Sequence, residues 1–253
     1  MTVIDFNTTK AKRGAFSAGL SATLDAEMQR KNALQPERHY VGASSVGGEC
    51  ERAIQFQYAG APKERAFSAN TLRKFALGHL TEEWTRFEFI DAGLELVQRD
   101  PLTLKDYHFS QLDGRFSGTP DGVFLGGPTV PGIAYPALWE HKGVGAKSYR
   151  ALERDGLKKA KPTYYAQVAT YAAYLNLTAN DAVFTVSNLD SGEQMHIAVP
   201  FDAEEAQRMT DRAVRIVKAT DAGELLPRPF AQADHFVCRS MCDFPSRCWR
   251  LPA

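Results

Sequence analysis

The sequence lacks several things, and each absence removes a class of protein. No apolar run approaches the ~18 residues that a membrane span needs, so no membrane partner is expected. The first ten residues, Met1 to Lys10, hold no apolar core of the signal-peptide kind, and the expectation is a cytoplasmic protein. Net charge is also missing: 30 Lys and Arg balance 30 Asp and Glu, which excludes a globally basic nucleic-acid binder and leaves room for a locally basic one. There is no internal repeat and no low-complexity block. With 253 residues, 44% hydrophobic and 24% charged, disorder along the whole chain is excluded. A chain of this size buries a sizeable core, so the few cysteines are not needed merely to hold it together.

The charge that is present is unevenly placed. Lys142 to Lys161 contains seven Lys or Arg against Glu153 and Asp155, a local excess of five. Arg150, Arg154, Lys158, Lys159 and Lys161 suit the tracking of a phosphate backbone, with Lys147 and Tyr149 as weaker candidates. A solvated helix face is the plainer account of the same run.

Periodicity gives the elements. Residues 1–40 read as a polar arm with a helix near Ala15–Asn32, and residues 41–253 as the main α/β domain. A short helix is predicted over Glu49–Tyr58. A long amphipathic one follows over Asn70–Ala92, where Leu72, Phe75, Ala76, Leu80, Trp84, Phe87 and Ile90 recur at helical spacing. Strands are predicted over Leu94–Arg99, Phe116–Leu125 and Ala137–Val144, then helices near Ala146–Asp155 and Thr163–Leu175. A strand pair, Ala182–Asn188 and Gln194–Val199, precedes a charged helix over Phe201–Ala222 and a Cys-rich tail. This order predicts an α/β fold with a central mixed sheet flanked by helices.

Three fragments carry chemistry: Gly118-Thr-Pro-Asp121-Gly122, Trp139-Glu140-His141-Lys142 and Gln167-Val-Ala-Thr-Tyr171. On a strand, Glu140 and Lys142 share one face, and Trp139 and His141 take the other. Acids from two neighbouring segments supply hard oxygens suited to Mg²⁺ or Mn²⁺. A lysine beside them can hold a water or neutralise charge building on a phosphate. Singly, each piece has a plainer reading: a chance acid-x-Lys, a surface His79, or Gln167 and Tyr171 as mere neighbours on a helix. Their order along the chain, and a glutamate set in an otherwise apolar strand, give them weight together.

These residues resemble the PD-(D/E)xK nuclease superfamily, with Pro120-Asp121 as the first acid and Glu140-His141-Lys142 as the triplet. Within it the chain resembles the RecB-type exonuclease branch, by His79 in Gly78-His-Leu-Thr-Glu82 and by the Gln167-x₃-Tyr171 helix. The resemblance runs from about Ser44 to the C-terminus. It implies a restriction-endonuclease-like core in which His79, Asp121, Glu140 and the main-chain carbonyl of His141 bind metal and Lys142 assists the attacking water. The implied activity is metal-dependent hydrolysis of DNA, on linear single- or double-stranded ends, in recombination, repair or phage DNA processing. A restriction-like endonuclease and a non-catalytic DNA-end-binding subunit stand as alternatives. A homo-oligomer and a recombination partner protein are both left open.

The four cysteines are Cys50, then Cys238-x₃-Cys242-x₅-Cys248. In an intracellular protein such a grouping points to metal rather than to disulfides. It resembles the [4Fe–4S] clasp of RecB-family, CRISPR-associated and AddB-type nucleases, although that group shows Cys-x₂-Cys where this chain has Cys238-x₃-Cys242. A structural Zn²⁺ site and unligated cysteines are the alternatives. As a staple, the set would join a segment near residue 50 to one near 240 and close a very long loop.

Overall fold

The computed structural model describes residues 8–251. The chain divides into two compact units, one holding the residues up to Glu37 with Ala66–Ala76, the other Arg38–Arg65 and the chain from Leu77 onward. In the first unit, α1 (Thr8–Ala33) begins earlier than its apolar spacing predicts. Asp25 of α1 pairs with Arg73, and the Phe67 and Phe75 rings meet edge to face at 5.1 Å.

The second unit carries two sheets. The smaller orders β1 (Val41–Gly42), β4 (Phe116–Gly118) and β3 (Phe109–Gln111) as β1-β4-β3. The larger orders β2 (Leu96–Val97), β5 (Gly122–Phe124), β6 (Ala137–Val144), β7 (Ala182–Asn188) and β8 (Gln194–Val199) as β2-β5-β6-β7-β8. β6 is central. It runs antiparallel to β5 and parallel to β7, with Glu140 opposite Phe184 and Lys142 opposite Val186. The sheet is therefore mixed, and helices flank it as the element order predicts.

The strand expected over Phe116–Leu125 is two strands. Pro120 has no N–H to donate, so the ladder stops there. β4 pairs with β1 and β3, while β5 pairs with β2 and β6, so Thr119 to Asp121 is the passage from one sheet to the other.

The parallel step from β6 to β7 needs a crossover, and α5 (Ala146–Ala160) with α6 (Pro162–Tyr174) supplies it. α5 is broken at Gly156, whose φ of 72° lies where glycine alone is unstrained. The helix expected to end at Asp155 thus resumes after a kink. On one face of the sheet Leu138 and Phe184 pack with Leu152, Met209 and Ile216, the last two from α7 (Ala203–Asp221). On the other, Trp139, Phe124 and Val183 form a smaller cluster joined by Phe89 of α4 (Ala69–Asp91).

α4 corrects one expectation. Of its periodic apolar residues Leu72 is buried, but Phe75, Leu80, Trp84, Phe87 and Ile90 are exposed, Trp84 at 66%. The face turned to the sheet is instead Gly78, Thr81, Glu82, Thr85 and Phe89, small and polar at one end and apolar at the other. An added Cβ on Gly143 of β6 would stand 3.0 Å from Thr81 Oγ1 and 3.3 Å from Gly78 Cα, so helix and strand lie backbone to backbone here. Among the described residues no helix is long and apolar enough to cross a membrane.

After the one-turn α2 (Ala43–Val46), α3 (Glu51–Tyr58) receives the segment that follows α7. Arg52 Nε donates to the Leu226 carbonyl, and Gln55 both donates to Glu224 O (2.7 Å) and accepts from Leu226 N (2.9 Å). The Glu64 carboxylate accepts from the Ser246 and Arg247 amides (2.8 and 2.7 Å), capping α8 (Pro245–Arg250) from a distance in sequence.

Gly118 fixes how closely the passage strand can approach α6. A Cβ there would lie 2.6 Å from the Tyr171 ring, 2.9 Å from Ala43 and 3.1 Å from Phe109. Gly118→Ala is expected to cost roughly 1–3 kcal/mol by overpacking, read from urea denaturation. A variant as stable as the wild type would show that this contact is looser than drawn.

Candidate active site

The motif residues converge on the open end of the Glu140 face of β6. Glu140 is 1% exposed. Its Oε1 accepts from Lys142 Nζ at 2.5 Å and from Gln167 Nε2 at 2.6 Å, while Oε2, also buried, has no hydrogen-bond partner. Gln167 lies 3.4 Å from the Tyr171 hydroxyl one helical turn on, so the two residues of α6 act on Glu140 as a pair. Asp121, just past the Pro120 break, accepts from the His141 amide at 2.7 Å through Oδ2. That bond fastens the passage between the sheets to the centre of β6. Lys142 Nζ also donates to the His141 carbonyl at 3.0 Å.

His141 itself points the other way, as strand alternation requires. It is buried, and Nε2 meets Ser187 Oγ at 2.9 Å. Burial, then the nearby Lys142 charge, lowers its pKa to about 4, so the ring is neutral and its main chain is what faces the acids.

Glu82 is the residue that sequence reasoning passed over. It lies on the sheet-facing side of α4, and burial followed by the charge of Asp121 pushes its pKa up to about 7. Burial likewise raises Asp121, against the pull of Lys142, and raises Glu140, with Asp121 adding to it. Burial opposes the charge on Lys142, but Glu140 and then Asp121 hold its ammonium above the usual range. Burial and Glu140 raise the Tyr171 phenol as well. Glu82 and Glu140 thus both feel the charge of Asp121, and Lys142 acts on all three carboxyls. The signal for Glu82 was available: it stands three residues after His79, one turn along the same helix. His79 lies at the rim, 82% exposed, with Nδ1 3.7 Å from Glu82 Oε2.

The fit to a divalent cation follows from these facts. The donors are hard oxygens, and the partnerless Glu140 Oε2 is a buried acceptor that a cation would satisfy. Among the described residues no three His, Cys, Asp or Glu side chains are drawn together at metal-binding spacing, so the set is right in chemistry and open in arrangement.

The basic run is largely spoken for. Arg154 and Lys159 pair with Asp155 (2.6 and 3.0 Å), and Lys158 pairs with Asp202 (2.8 Å). Tyr149 is buried in the core. Lys147, Arg150 and Lys161 make no ion pair among the described residues.

The four cysteines are all free thiols, and together they line one small pocket. Cys50 stands at the N-cap of α3, Cys238 in a π-helical turn (Val237–Met241), Cys242 just after it and Cys248 in α8. Phe56, Phe230 and Trp249 wall the pocket, and Arg228 lies over the Trp249 ring at 4.3 Å. Burial raises the thiol pKa of Cys50, Cys238 and Cys242, the last to about 11, and neighbouring thiols add to each.

No family model matches the chain, and no curated protein matches it in sequence. Solved structures similar to the chain include the following. An alkaline exonuclease (LHK-Exo) from Laribacter hongkongensis superposes with a TM-score of 0.50 at 15% identity, over 78% of this chain and 93% of that one. LHK-Exo in complex with dAMP gives 0.49 at 16%, over 73% and 89%, and SSO0001 gives 0.43 at 12%, over 88% and 97%. The likeness is one of fold. It covers this mixed α/β sheet and its flanking helices.

The raised Glu82 sets a pH dependence. Its ordinary carboxyl value is 4.5 and its folded value about 7, so the folded state holds the proton more tightly and loses stability as pH rises between the two. Without divalent metal, Glu82→Gln is expected to exceed the wild type by on the order of 1–3 kcal/mol at pH 8, a gain that vanishes by pH 4.5. Urea denaturation at the two pH values checks this. An equal difference at both would place Glu82 outside the cluster.

Proposed function

We propose that the chain is a divalent-metal-dependent DNA exonuclease of the RecB-like PD-(D/E)xK branch. The observation that carries this is Glu140: a buried carboxylate with one oxygen shared by Lys142 and Gln167 and the other without a partner, beside Asp121. The nuclease-type fold supports it, as the similar solved structure is an alkaline exonuclease.

Asp121, Glu140, Glu82 and the His141 carbonyl would hold Mg²⁺ or Mn²⁺, with His79 at the rim. A divalent cation there supplies positive charge opposite the phosphate and makes water more acidic. Lys142, kept protonated by Glu140 and Asp121, donates a hydrogen bond to the incoming water or to a phosphate oxygen as charge builds on it. Gln167 holds Glu140 Oε1 in place and Tyr171 holds Gln167. Lys147, Arg150 and Lys161 take the DNA backbone first. Arg154, Lys158 and Lys159 can join only by giving up their carboxylates.

The cysteine pocket is read as the seat of a [4Fe–4S] staple. Four thiols on one pocket are the donor set such a cluster takes, and they gather α3 with the last turns of the chain. Four thiolates would serve Zn²⁺ equally, and colour separates the two. Protein purified without oxygen is expected to be brown, absorbing near about 400 nm. Colourless, zinc-loaded protein would replace the cluster with a zinc staple and leave the nuclease reading in place.

Lys142→Ala is expected to lower hydrolysis of end-labelled linear DNA by about 10²–10⁴-fold in Mn²⁺, with DNA affinity retained. Near-native hydrolysis by this variant would overturn the role given to β6.

A further inference from the structure

Tyr164 belongs to none of the motifs, yet it stands beside the catalytic lysine. It lies in the first turn of α6, half-buried, with its ring tilted against Phe184 of β7 at 6.1 Å. Lys142 Nζ is 5.5 Å from the centre of that ring, and Lys161 Nζ is 6.0 Å from it. Lys161 is the hinge between α5 and α6. Its amide donates to Leu157 O at 2.9 Å, and its carbonyl accepts from Tyr164 N at 3.0 Å and Tyr165 N at 3.1 Å. Backbone bonds on both sides therefore fix Lys161 relative to the tyrosine.

Two ammonium groups around one ring repel each other, and each is drawn to the ring face. Lys142 has Glu140 to offset its charge, but Lys161 has no carboxylate among the described residues, unlike Arg154, Lys158 and Lys159 nearby. A placement of this kind is favourable when an anion joins the two cations. The ring can hold Lys142 without consuming a directional proton. Of the three N–H bonds of Lys142, two go to Glu140 Oε1 and the His141 carbonyl, which leaves the third for a water or a phosphate oxygen.

We propose that Tyr164 is a positioning residue that holds Lys142 and Lys161 about one aromatic ring, so that a DNA strand lays its scissile phosphate at Lys142 and an adjoining phosphate at Lys161. This rests on the nuclease reading and adds to it the element that sets where along the strand the cut falls. Through the ring centre the two ammoniums are at most about 12 Å apart, so each is within reach of a different phosphate of one strand. The ring, not the hydroxyl, does the positioning.

The test compares wild type, Tyr164→Phe, Tyr164→Met, Lys161→Ala and Lys142→Ala on end-labelled linear DNA with Mn²⁺, reading kcat and KM separately, with a thermal melt of each protein. Tyr164→Met is expected to lower kcat at least about tenfold with KM within about threefold, because Lys142 loses its aromatic support. Tyr164→Phe should keep kcat within about threefold of wild type, which a role for the hydroxyl would not allow. Lys161→Ala should raise KM with kcat nearly unchanged. Wild-type kcat in Tyr164→Met, or a loss in Tyr164→Phe as large as in Lys142→Ala, would overturn the proposal. If Tyr164→Met does not fold, Lys161→Ala decides, and an unchanged KM overturns it. Cleavage by wild type and not by Lys142→Ala, with Tyr164→Met fully active, sinks this inference alone. A wild type that leaves DNA intact sinks the nuclease reading and the inference with it.

Discussion

A buried glutamate and the half-buried lysine paired with it on β6 set the terms for the rest of the molecule. Taking two charges out of water costs several kcal/mol each, and one short ion pair returns that cost only when the remaining polar atoms are also satisfied. Around Glu140 and Lys142 most of them are. Gln167 reaches across from α6, the His141 carbonyl takes a second proton of Lys142, and the His141 amide turns Asp121 inward. Glu140 Oε2 is left over, and the charge of Asp121 acts on both Glu140 and Glu82, whose carboxyls burial also raises. Such an arrangement is poor for stability and well suited to drawing in a cation, the pattern expected where binding offsets a cost built into the fold.

The surrounding elements answer to that cluster. Pro120 breaks a strand so that Asp121 leaves the ladder at the point where the chain changes sheets. Gly143 and Gly78 bring α4 onto β6 closely enough for Glu82 to share the site. Gly118 lets Tyr171 lie against the passage strand, and the kink at Gly156 allows α5 to hand over to α6 at Lys161, whose first turn carries Tyr164. The segment just after α7 fastens to α3, and α8 fastens to Glu64, through bonds between residues that are far apart in sequence.

Much of this was legible in the sequence, and the exceptions have physical causes. β6, β7 and β8 appear at the bounds expected, because a strand buried on both faces or alternating cleanly gives an unambiguous pattern. β1 and β3 are two or three residues long, too short for periodicity to register, and β2 is a two-residue strand inside the one expected over Leu94–Arg99. The split of Phe116–Leu125 was written in Pro120, but the residues on either side are equally strand-like. α4 misled most: its apolar stripe, from Leu80 through Trp84 to Phe87, faces outward, while small and polar residues face the sheet. That inversion also hid Glu82, which reads as a surface acid on any helix with the apolar stripe turned inward. Asp121, Glu140, Lys142, Gln167 and Tyr171 were legible as a set because their motif spacing survives folding. The basic run was legible as charge but not as pairing, since Asp202, which engages Lys158, lies 44 residues away.

The measurement that bears most directly on the central claim is Mn²⁺ binding by calorimetry to wild type and Glu140→Gln at pH 8. The substitution keeps the size of the side chain and its bonds to Lys142 and Gln167 within reach, and removes the charge that the buried cluster holds for a cation. Binding by wild type, weakened at least about tenfold in the variant, is the predicted result. Equal affinity in the two proteins would contradict it and leave the Glu140–Lys142 pair on β6 a structural feature alone.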